Sequence, residues 1–494
     1  MLDVILPQPS PVTGDYENNA RAFLELVEAV ENKDRSVHEL VVVPLGALEG
    51  VLGLEALMNP DVSERLRDEV IRLGNALLTR PNRSLVFCVG PQVLFTTNTK
   101  TDAEAAVENG VLRLEGMTFG WGRAIPEGAM RLDFNRFASA QVRRKAAPGE
   151  PTLSAGIAGG LDEQVYSGDT GFVFGAYQKL LRPFHAGAMR VRLERDEKIG
   201  WRDVECVVSQ PGAPEKTVDE RYEALRVAVR DYVEKNRIKG VVVGVSGGVD
   251  SALVLALACD ALGADRVRAV LLPSRFTSDV SDEGAARLLE AFGVKSERLS
   301  IEPMFEAALS TLEPVFGGRA WDVAEENVQA RIRGLLLMGV ANKNGELLLC
   351  TSNKAESAMG YGTLYGDLTG GFAPLIDLWK SDVYALCRAR NAAAGRDVIP
   401  SVILERAPSA ELREDQKDSD SLPPYDTIEK VMTAFLSNRS VKDVEGVPEA
   451  EARSIVERAL RFGFKRHQGI LGPVVSATPL SAMKAYGVTR RGPF

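Results

Sequence analysis

A glycine-rich turn between an apolar strand and an apolar helix is the part of the sequence best suited to chemistry. It reads Gly244-Val-Ser-Gly-Gly-Val-Asp-Ser251 and follows the β-branched run Val241-Val-Val243. Adjacent glycines let the backbone turn tightly around an anion, which the helix dipole and two serine hydroxyls also attract. The residues predicted to contact a phosphate are Gly244, Ser246, Gly247, Gly248, Asp250 and Ser251. The turn therefore predicts a phosphate site, with an ordinary strand-to-helix turn as the structural alternative.

Two carboxylates supply a second chemical signal. Asp250 would lie beside the bound phosphate, which is favourable when a Mg²⁺ ion lies between them. Glu356 follows the strand predicted over 346–350 and would bring a second carboxylate to the same cation. A solvent-exposed glutamate at a helix start is the alternative for Glu356. The turn lacks the lysine of a Walker A motif, so a P-loop of the kinase or GTPase kind is excluded.

Composition excludes several classes of function. The net charge of −9 argues against a basic nucleic-acid-binding surface. No uncharged apolar stretch approaches the length of a membrane span, and no basic segment precedes the apolar N-terminus, so a cytoplasmic protein is expected. The five cysteines lack Cys-x-x-Cys spacing and are predicted to be buried thiols. With three histidines, neither a His-rich zinc site nor a catalytic triad is expected.

The elements that position these residues form two predicted domains, 1–212 and 213–494. The boundary follows from a Pro- and Gly-rich stretch near residue 212, which precedes an amphipathic helix predicted over 218–233. Strands are predicted over 241–245, 267–273 and 346–350, with helical patterns between them. This alternation predicts a doubly wound parallel sheet with flanking helices, whose ligands gather at the strands' carboxyl ends. The charged, proline-containing segment 405–425 is either a lid or a solvated loop.

Seven motifs together give the second domain a family resemblance. They are Ser246-Gly-Gly-Val-Asp-Ser251, Glu326-Asn-Val-Gln-Ala-Arg331, Thr351-Ser-Asn-Lys-Ala-Glu356, Gly360-Tyr-Gly-Thr-Leu-Tyr-Gly-Asp367, Pro374-Leu-Ile-Asp-Leu-Trp-Lys380, Pro408-Ser-Ala-Glu-Leu412 and Phe464-Lys-Arg-His467. In order and spacing, residues 215–494 resemble NAD synthetase, a member of the N-type ATP pyrophosphatases with an adenine nucleotide alpha hydrolase-like fold. The resemblance implies amidation of deamido-NAD through an acyl-adenylate, with ATP as co-substrate and Mg²⁺ as cofactor.

The resemblance also implies roles for individual residues. Beyond the glycine-rich turn, those assigned to ATP are Ser274, Arg275, Thr351, Lys380 and Ser409. Those assigned to deamido-NAD are Asn327, Arg331, Glu356, Asp367 and Lys465. Asp250, Glu356 and Lys380 are assigned to catalysis, and Asp250 and Glu356 to the metal. From the residues alone, a surface pair on one helix face explains Asn327 and Arg331 as well as substrate binding does. An ordinary surface lysine is likewise the alternative for Lys380.

The first domain resembles a nitrilase-like glutaminase of α/β/β/α architecture, but it departs from the pattern. Leu45 stands where that family has its glutamate base, and no cysteine lies between Cys88 and Cys206, where the nucleophile belongs. Lys145 does not resemble the lysine that stabilises the oxyanion. The expectation is therefore a degenerate glutaminase domain and an enzyme that uses free ammonia or receives it from another protein.

Other interpretations remain open at the level of sequence. They are a glutamine-dependent enzyme with a divergent but active glutaminase, a nucleotide-binding pseudoenzyme, and another synthetase of the same superfamily. The resemblance further implies a homodimer or larger homo-oligomer, with no nucleic-acid or membrane partner.

Overall fold

The chain folds into two compact units, Met1–Lys216 and Thr217–Phe494. The computed structural model describes residues 1–50, 59–89, 92–98, 106–108, 111–114, 117–121, 129–133, 152–161, 164–168, 170–174, 177–196, 200–210, 218–481 and 483. The boundary expected near residue 212 lies in 211–217, outside these residues, so it stays a prediction.

Three β-sheets and two helices form the described part of the first unit. Its strands are β1 (Leu2–Gln8), β2 (His38–Val43), β3 (Arg83–Val89), β4 (Gln92–Asn98), β5 (Ala106–Glu108), β6 (Val111–Leu114), β7 (Met117–Gly120), β8 (Met130–Asp133), β9 (Thr152–Ser154), β10 (Ala158–Leu161), β11 (Gln164–Ser167), β12 (Gly171–Phe174), β13 (Tyr177–Leu180), β14 (Gly187–Asp196) and β15 (Gly200–Ser209). The helices are α1 (Tyr16–Glu28) and α2 (Pro60–Leu77). A six-stranded sheet has the order β15-β14-β1-β2-β3-β4, a seven-stranded sheet the order β13-β12-β9-β8-β7-β6-β5, and β10 and β11 pair separately.

These elements are stacked in layers because the six-stranded sheet is apolar on both faces. On one face, side chains such as Ile5 and Val41 pack against Phe23 of α1 and Leu73 of α2. On the other face, Val4 belongs to a second core that includes strands of the seven-stranded sheet. The described residues therefore form helix, sheet and sheet layers of the expected α/β/β/α arrangement.

The second unit contains a four-stranded parallel sheet between helices. Its strands are β16 (Val241–Gly244), β17 (Val267–Leu271), β18 (Ser296–Arg298) and β19 (Leu347–Leu349). Its helices are α3 (Glu220–Lys235), α4 (Val249–Leu262), α5 (Asp279–Phe292), α6 (Glu302–Phe316), α7 (Val323–Asn344), α8 (Lys354–Met359), α9 (Lys380–Ala394), α10 (Ser401–Glu405), α11 (Tyr425–Leu436), α12 (Glu449–Arg461) and α13 (Gly463–His467). The predicted parallel α/β fold is confirmed, and the observed strands are one to two residues shorter than predicted. No helix among the described residues is both long and apolar enough to cross a membrane.

The strand order places a crevice at one edge of this sheet. The order is β18-β17-β16-β19, so the chain leaves β16 toward β17 on one side and later returns to β19 on the other. Ligands bind at such a switch point, outside the strands' carboxyl ends. A cavity of about 680 Å³ opens there, lined by the loops that follow β16 and β19.

Candidate functional site

The loop between β16 and α4 lines this cavity and has the shape of an anion site. Gly247 has a φ of +78°, and a Cβ there would lie 2.3 Å from the carbonyl oxygen of Ser281, so only glycine fits. Ser251 Oγ donates to the carbonyl oxygen of Gly248 at 3.0 Å and lies 3.2 Å from Ser246 Oγ. The N-cap residue of α4 is Gly248, and no side chain in the described part of the chain caps this helix. Its first N–H groups can therefore bind an anion.

Asp250 and Glu356 converge on one amide group in the same cavity. Asn353 Nδ2 donates to Asp250 Oδ1 at 3.0 Å and to Glu356 Oε1 at 2.8 Å. The Asn353 side chain is fully buried and also caps α8, since its Oδ1 accepts a hydrogen bond from the Glu356 N–H. The two carboxylates predicted as metal ligands are thus held close together by a third side chain.

Lys380 forms ion pairs with both carboxylates. Its Nζ lies 2.6 Å from Asp250 Oδ2 and 3.6 Å from Glu356 Oε1. Burial lowers the pKa of Lys380, but the two carboxylates outweigh this effect and leave the pKa raised. Burial and the neighbouring Asp250 raise the pKa of Glu356, and Lys380 opposes them.

The same pair of carboxylates fits a hard divalent cation. Mg²⁺ is commonly held by one or two carboxylates together with substrate phosphates and water. Among the described residues, no group of three or more His, Cys, Asp or Glu side chains is placed to hold a metal ion. Phosphate oxygens would therefore have to complete the coordination of an ion bound at Asp250 and Glu356.

Three residues predicted to bind deamido-NAD lie along another wall of the cavity. They are Asn327, Asp367 and Lys465. Thr363 joins the first two, because its Oγ1 donates to Asn327 Oδ1 at 2.6 Å and its N–H donates to Asp367 Oδ1 at 2.8 Å. Lys465 Nζ donates to the carbonyl oxygens of Gly360 and Gly362. Removal from bulk solvent raises the pKa of Asp367 and lowers that of Lys465.

The segment 405–425 forms part of the cavity wall. Ser409 lines the cavity, as does Thr351, which follows β19 directly. Ser409 Oγ donates to the carbonyl oxygen of Gln416 at 2.6 Å, so its hydroxyl stabilises a turn within the segment. Arg413 pairs with Glu326 on α7 at 3.1 Å. These contacts make the segment a wall of the cavity and not merely a solvated loop, whereas its action as a lid stays a prediction.

Three sequence-based assignments lie outside the cavity wall. Arg331 is exposed, and its Nε donates to the carbonyl oxygen of Leu364 at 3.3 Å. Arg275 is exposed and pairs with acidic side chains of α6, at 3.0 Å from Glu306. Ser274 bonds within its own turn, where its N–H donates to Thr277 Oγ1. Asn327 and Arg331 were expected to contact the substrate from one face of α7. The helix is rotated so that Asn327 lines the cavity and Arg331 points to solvent.

Helix α7 does not bury all of its apolar side chains. Ile332 is buried, but Leu335 is 61% exposed. Arg333, which lies outside the seven sequence motifs, lines the cavity. The periodicity of α7 carries a signal for it, because Arg333 lies three residues after Ala330 and seven after Glu326, at helical spacing for one face.

The first unit shows the surroundings of three residues that bear on a glutaminase: Leu45, Glu49, which is the first carboxylate after it in the sequence, and Ser154. Leu45 packs against the core between the two sheets. Glu49 Oε1 accepts a hydrogen bond from the Gly46 N–H at 3.2 Å, and burial raises the pKa of Glu49. Ser154 ends β9, in the stretch where the nucleophile was expected. Lys145 lies outside the described residues.

Comparison with known proteins identifies the family of the second unit. The NAD synthase family model matches residues 221–469. The chain is 44% identical to "Glutamine-dependent NAD(+) synthetase" from Acinetobacter baylyi over 277 residues, which cover 55% of this chain and 51% of that protein. It is 40% identical to the protein of the same name from Xanthomonas campestris over 359 residues, which cover 70% and 64% of the two chains. These matches therefore span about half to two thirds of the relatives' length.

Solved structures extend the likeness to both units. The structure of glutamine-dependent NAD+ synthetase from Acinetobacter baumannii, in complex with ADP, matches with a TM-score of 0.68 and 27% identity and covers 97% of both chains. A glutamine-dependent NAD(+) synthetase from Cytophaga hutchinsonii matches with a TM-score of 0.74, 16% identity and coverage of 100% and 97%, and shows the fold alone. The architecture of a nitrilase-like unit followed by a synthetase unit is confirmed. The chain belongs to the NAD synthase family.

Proposed function

We propose that the second unit amidates deamido-NAD to NAD with ATP as co-substrate and Mg²⁺ as cofactor. The observation that carries this proposal is the single cavity that both groups of residues line. The glycine-rich loop and the pair Asp250 and Glu356 provide a place for a metal-bound triphosphate at one part of its wall. Asn327, Asp367 and Lys465 provide polar groups for a second substrate at another part. A reaction that joins two anionic substrates needs this proximity.

The reaction proceeds in two displacements. A carboxylate oxygen of the nicotinate group attacks the α-phosphorus of ATP, the bond to the β-phosphate oxygen breaks, and pyrophosphate leaves. The nitrogen of ammonia then attacks the acyl carbon, the carbon–oxygen bond to the adenylate breaks, AMP leaves and a proton is lost to solvent. When bound, Mg²⁺ would neutralise phosphate charge. Asp250 and Glu356 would hold that ion, and Lys380, which lies beside both carboxylates, would stabilise the negative charge of the leaving pyrophosphate.

Glutamine is the nitrogen donor that the comparisons favour. The Acinetobacter baylyi and Xanthomonas campestris relatives are both named glutamine-dependent. The second of these alignments is longer than the second unit, so it includes residues of the nitrilase-like unit. The names therefore support the alternative of a divergent glutaminase over the expectation of free ammonia.

Free ammonia remains a second candidate donor because of a specific feature of the first unit. The sequence has no cysteine from residue 89 to residue 205, and Leu45 packs into the core where a charged base was expected. A serine such as Ser154 has a much higher pKa than a thiol, so it would need a strong general base to act as a nucleophile. The expected homodimer or larger homo-oligomer stays a prediction.

NAD formation by the purified chain tests both parts of the proposal. The assay contains ATP, Mg²⁺ and deamido-NAD, with either ammonium or glutamine as nitrogen donor. Turnover with both donors supports the glutamine-dependent enzyme, and turnover with ammonium alone supports the second candidate. No turnover with either donor contradicts the proposed activity and favours a nucleotide-binding pseudoenzyme. Pyrophosphate release that requires xanthosine monophosphate or aspartate in place of deamido-NAD would indicate another synthetase of the superfamily.

A further inference from the structure

Helix α7 presents one continuous face to the cavity. The residues of that face are Val323, Glu326, Asn327, Ala330, Arg333, Gly334 and Leu337. Their spacing of three and four residues is that of a single helical stripe. Arg333 is the only basic residue in this stripe, and the exposed Arg331 is outside it.

The guanidinium of Arg333 is only partly satisfied by the protein. Its Nε donates to the carbonyl oxygen of Leu272, at the end of β17, at 3.1 Å. Within the described ranges, neither Nη atom has a hydrogen-bond partner, and no carboxylate oxygen lies within 4.0 Å of the group. Glu411, Glu302 and Asp367 attract it from farther away, and burial lowers its pKa to about 10, so it is still charged at neutral pH.

Other basic groups of the cavity have their charge balanced or their donors filled. Lys380 pairs with Asp250 and Glu356, and Arg406 pairs with Glu411. Lys465 donates to two backbone carbonyl groups, and Arg458 donates to the carbonyl oxygens of Met359 and Ser421. A buried guanidinium without a close counter-ion is costly, and the usual remedy is an anion supplied by a ligand.

Arg333 lies between the two parts of the proposed site. Toward the N-terminus of α7, Asn327 contacts Thr363 in the deamido-NAD part. Toward the C-terminus, Leu337 lies beside Gly244, where a Cβ would come within 3.1 Å of its Cδ1. Gly334 fixes the rotation of the helix, because a Cβ there would lie 2.8 Å from the carbonyl oxygen of Tyr365. The helix therefore holds Arg333 where two nucleotide substrates would meet.

We propose that Arg333 binds a phosphate group of a nucleotide substrate through its Nη atoms. The proposal deepens the proposed function and rests on it. The planar guanidinium fork matches two phosphate oxygens, which an ammonium group cannot match in the same way. Two sources share this chemistry: the α-phosphate of ATP and the diphosphate of deamido-NAD.

Equilibrium binding to the full chain tests the proposal and separates the two sources. The probes are AMP, whose one phosphate corresponds to the α-phosphate of ATP, adenosine, which has none, and deamido-NAD. Arg333→Met should lower the affinity for AMP or for deamido-NAD about tenfold to hundredfold and leave the affinity for adenosine unchanged. Weaker AMP binding assigns Arg333 to ATP, and weaker deamido-NAD binding assigns it to the other substrate. Unchanged affinity for both overturns the proposal.

The matched control is Lys343→Met, which removes a positive charge from the exposed end of the same helix. It should change none of the three affinities. If Arg333→Met does not fold, the same binding measurements are made on Arg333→Lys, which keeps the positive charge but lacks the planar guanidinium group. A loss of at least threefold for one phosphate-bearing probe, with adenosine unchanged, is then expected, and wild-type affinity for both probes overturns the proposal. Binding requires no turnover, so a wild-type chain that binds these probes but forms no NAD contradicts the proposed function alone.

Discussion

Lys380 Nζ lies 2.6 Å from Asp250 Oδ2, although the two residues are 130 positions apart in the chain. Each stands at the beginning of a helix, Asp250 in α4 and Lys380 as the first residue of α9. An aspartate is favoured at that end of the helix dipole, whereas a lysine is disfavoured. The acidic pair therefore accounts for a lysine at this position, and the lysine in turn lets two partly buried carboxylates lie close together.

Removing Lys380 should separate its role in stability from its role in turnover. Lys380→Met leaves Asp250 and Glu356 close together without a cation. We expect NAD formation to fall on the order of 10²-fold or more. We also expect Mg²⁺ to raise the melting temperature more in the variant than in the wild type, because the ion replaces the lost charge.

Melting curves with and without MgCl₂, together with NAD formation, measure both effects. Lys430→Met is the control, because Lys430 is an exposed helical lysine of the same unit. Full activity in Lys380→Met would contradict a catalytic role for this lysine. An unchanged response to Mg²⁺ would contradict a cation site at the acidic pair.

Gly247 and Gly248 form a matched pair for the shape of the phosphate loop. Gly247→Ala places a Cβ at positive φ and 2.3 Å from the backbone oxygen of Ser281, so the loop must move. Gly248→Ala meets only the Ser246 hydroxyl, at 3.3 Å. We expect Gly247→Ala to cost about 1–3 kcal/mol of stability and at least tenfold in ATP affinity. Gly248→Ala should retain the wild-type melting temperature. Equal effects of the two substitutions on melting would be inconsistent with this geometry.

The phosphate loop could be predicted because its chemistry is local. Its eight residues, Gly244–Ser251, contain the turn, the hydroxyls and the helix start. The parallel sheet around it was predictable for the same reason, because β-branched runs alternate with helical patterns. In the first unit, strands such as β9 have only three or four residues, which is too short for a period-two pattern to show. The layered sheets there came from the resemblance alone.

The contacts that could not be predicted depend on how helices are rotated. Arg331 and Arg333 are two positions apart, so a helix that turns one toward the cavity turns the other away. The packing of Gly334 against the Tyr365 carbonyl oxygen fixes the rotation that turns Arg333 toward the cavity. These two residues are 31 positions apart, so a local sequence pattern does not reveal their contact. Asn353 left a trace in the sequence, since Asn353-x-x-Glu356 has the spacing of a capping box. Its contact with Asp250 left none.

Lys354 should contribute to stability through a buried ion pair. Its side chain is fully buried, and its Nζ lies 2.9 Å from Asp377 Oδ1 and 2.7 Å from Ser476 Oγ. Lys354→Met leaves Asp377 buried without its counter-ion, and we expect a cost of about 3–5 kcal/mol. The double variant Lys354→Met/Asp377→Asn should be less destabilised than the sum of its single variants.

Urea unfolding of the four proteins in this cycle measures the coupling. The exposed pair of Arg287 and Glu283 supplies the contrast, because both side chains are more than half exposed. Arg287→Met should change stability by no more than about 0.5 kcal/mol. A Lys354→Met variant as stable as this control would show that the buried pair contributes nothing.

The thiols of the second unit should resist alkylation while the chain is folded. Burial raises the pKa of Cys350 to about 11 and that of Cys259 to about 12, and it also raises that of Cys387. Only the thiolate reacts, so at pH 8 about one Cys350 group in 10³ is reactive. The rate should rise about tenfold for each pH unit up to pH 11. Iodoacetamide labelling of the folded chain and of the chain in urea, followed by mass spectrometry, measures this protection. Rapid labelling of Cys350 in the folded chain at pH 8 would contradict the prediction.

This protection turns a thiol reagent into a probe of the nitrogen donor. If the thiols of the second unit are protected at pH 8, a reagent that stops synthesis acts through Cys88 or Cys206 of the first unit. If a cysteine hydrolyses glutamine, the reagent should abolish glutamine-dependent NAD formation and spare ammonium-dependent formation. Substituting each cysteine with serine would then identify the nucleophile. If glutamine-dependent formation survives complete labelling of both thiols, no cysteine releases the ammonia, because both candidate nucleophiles are blocked.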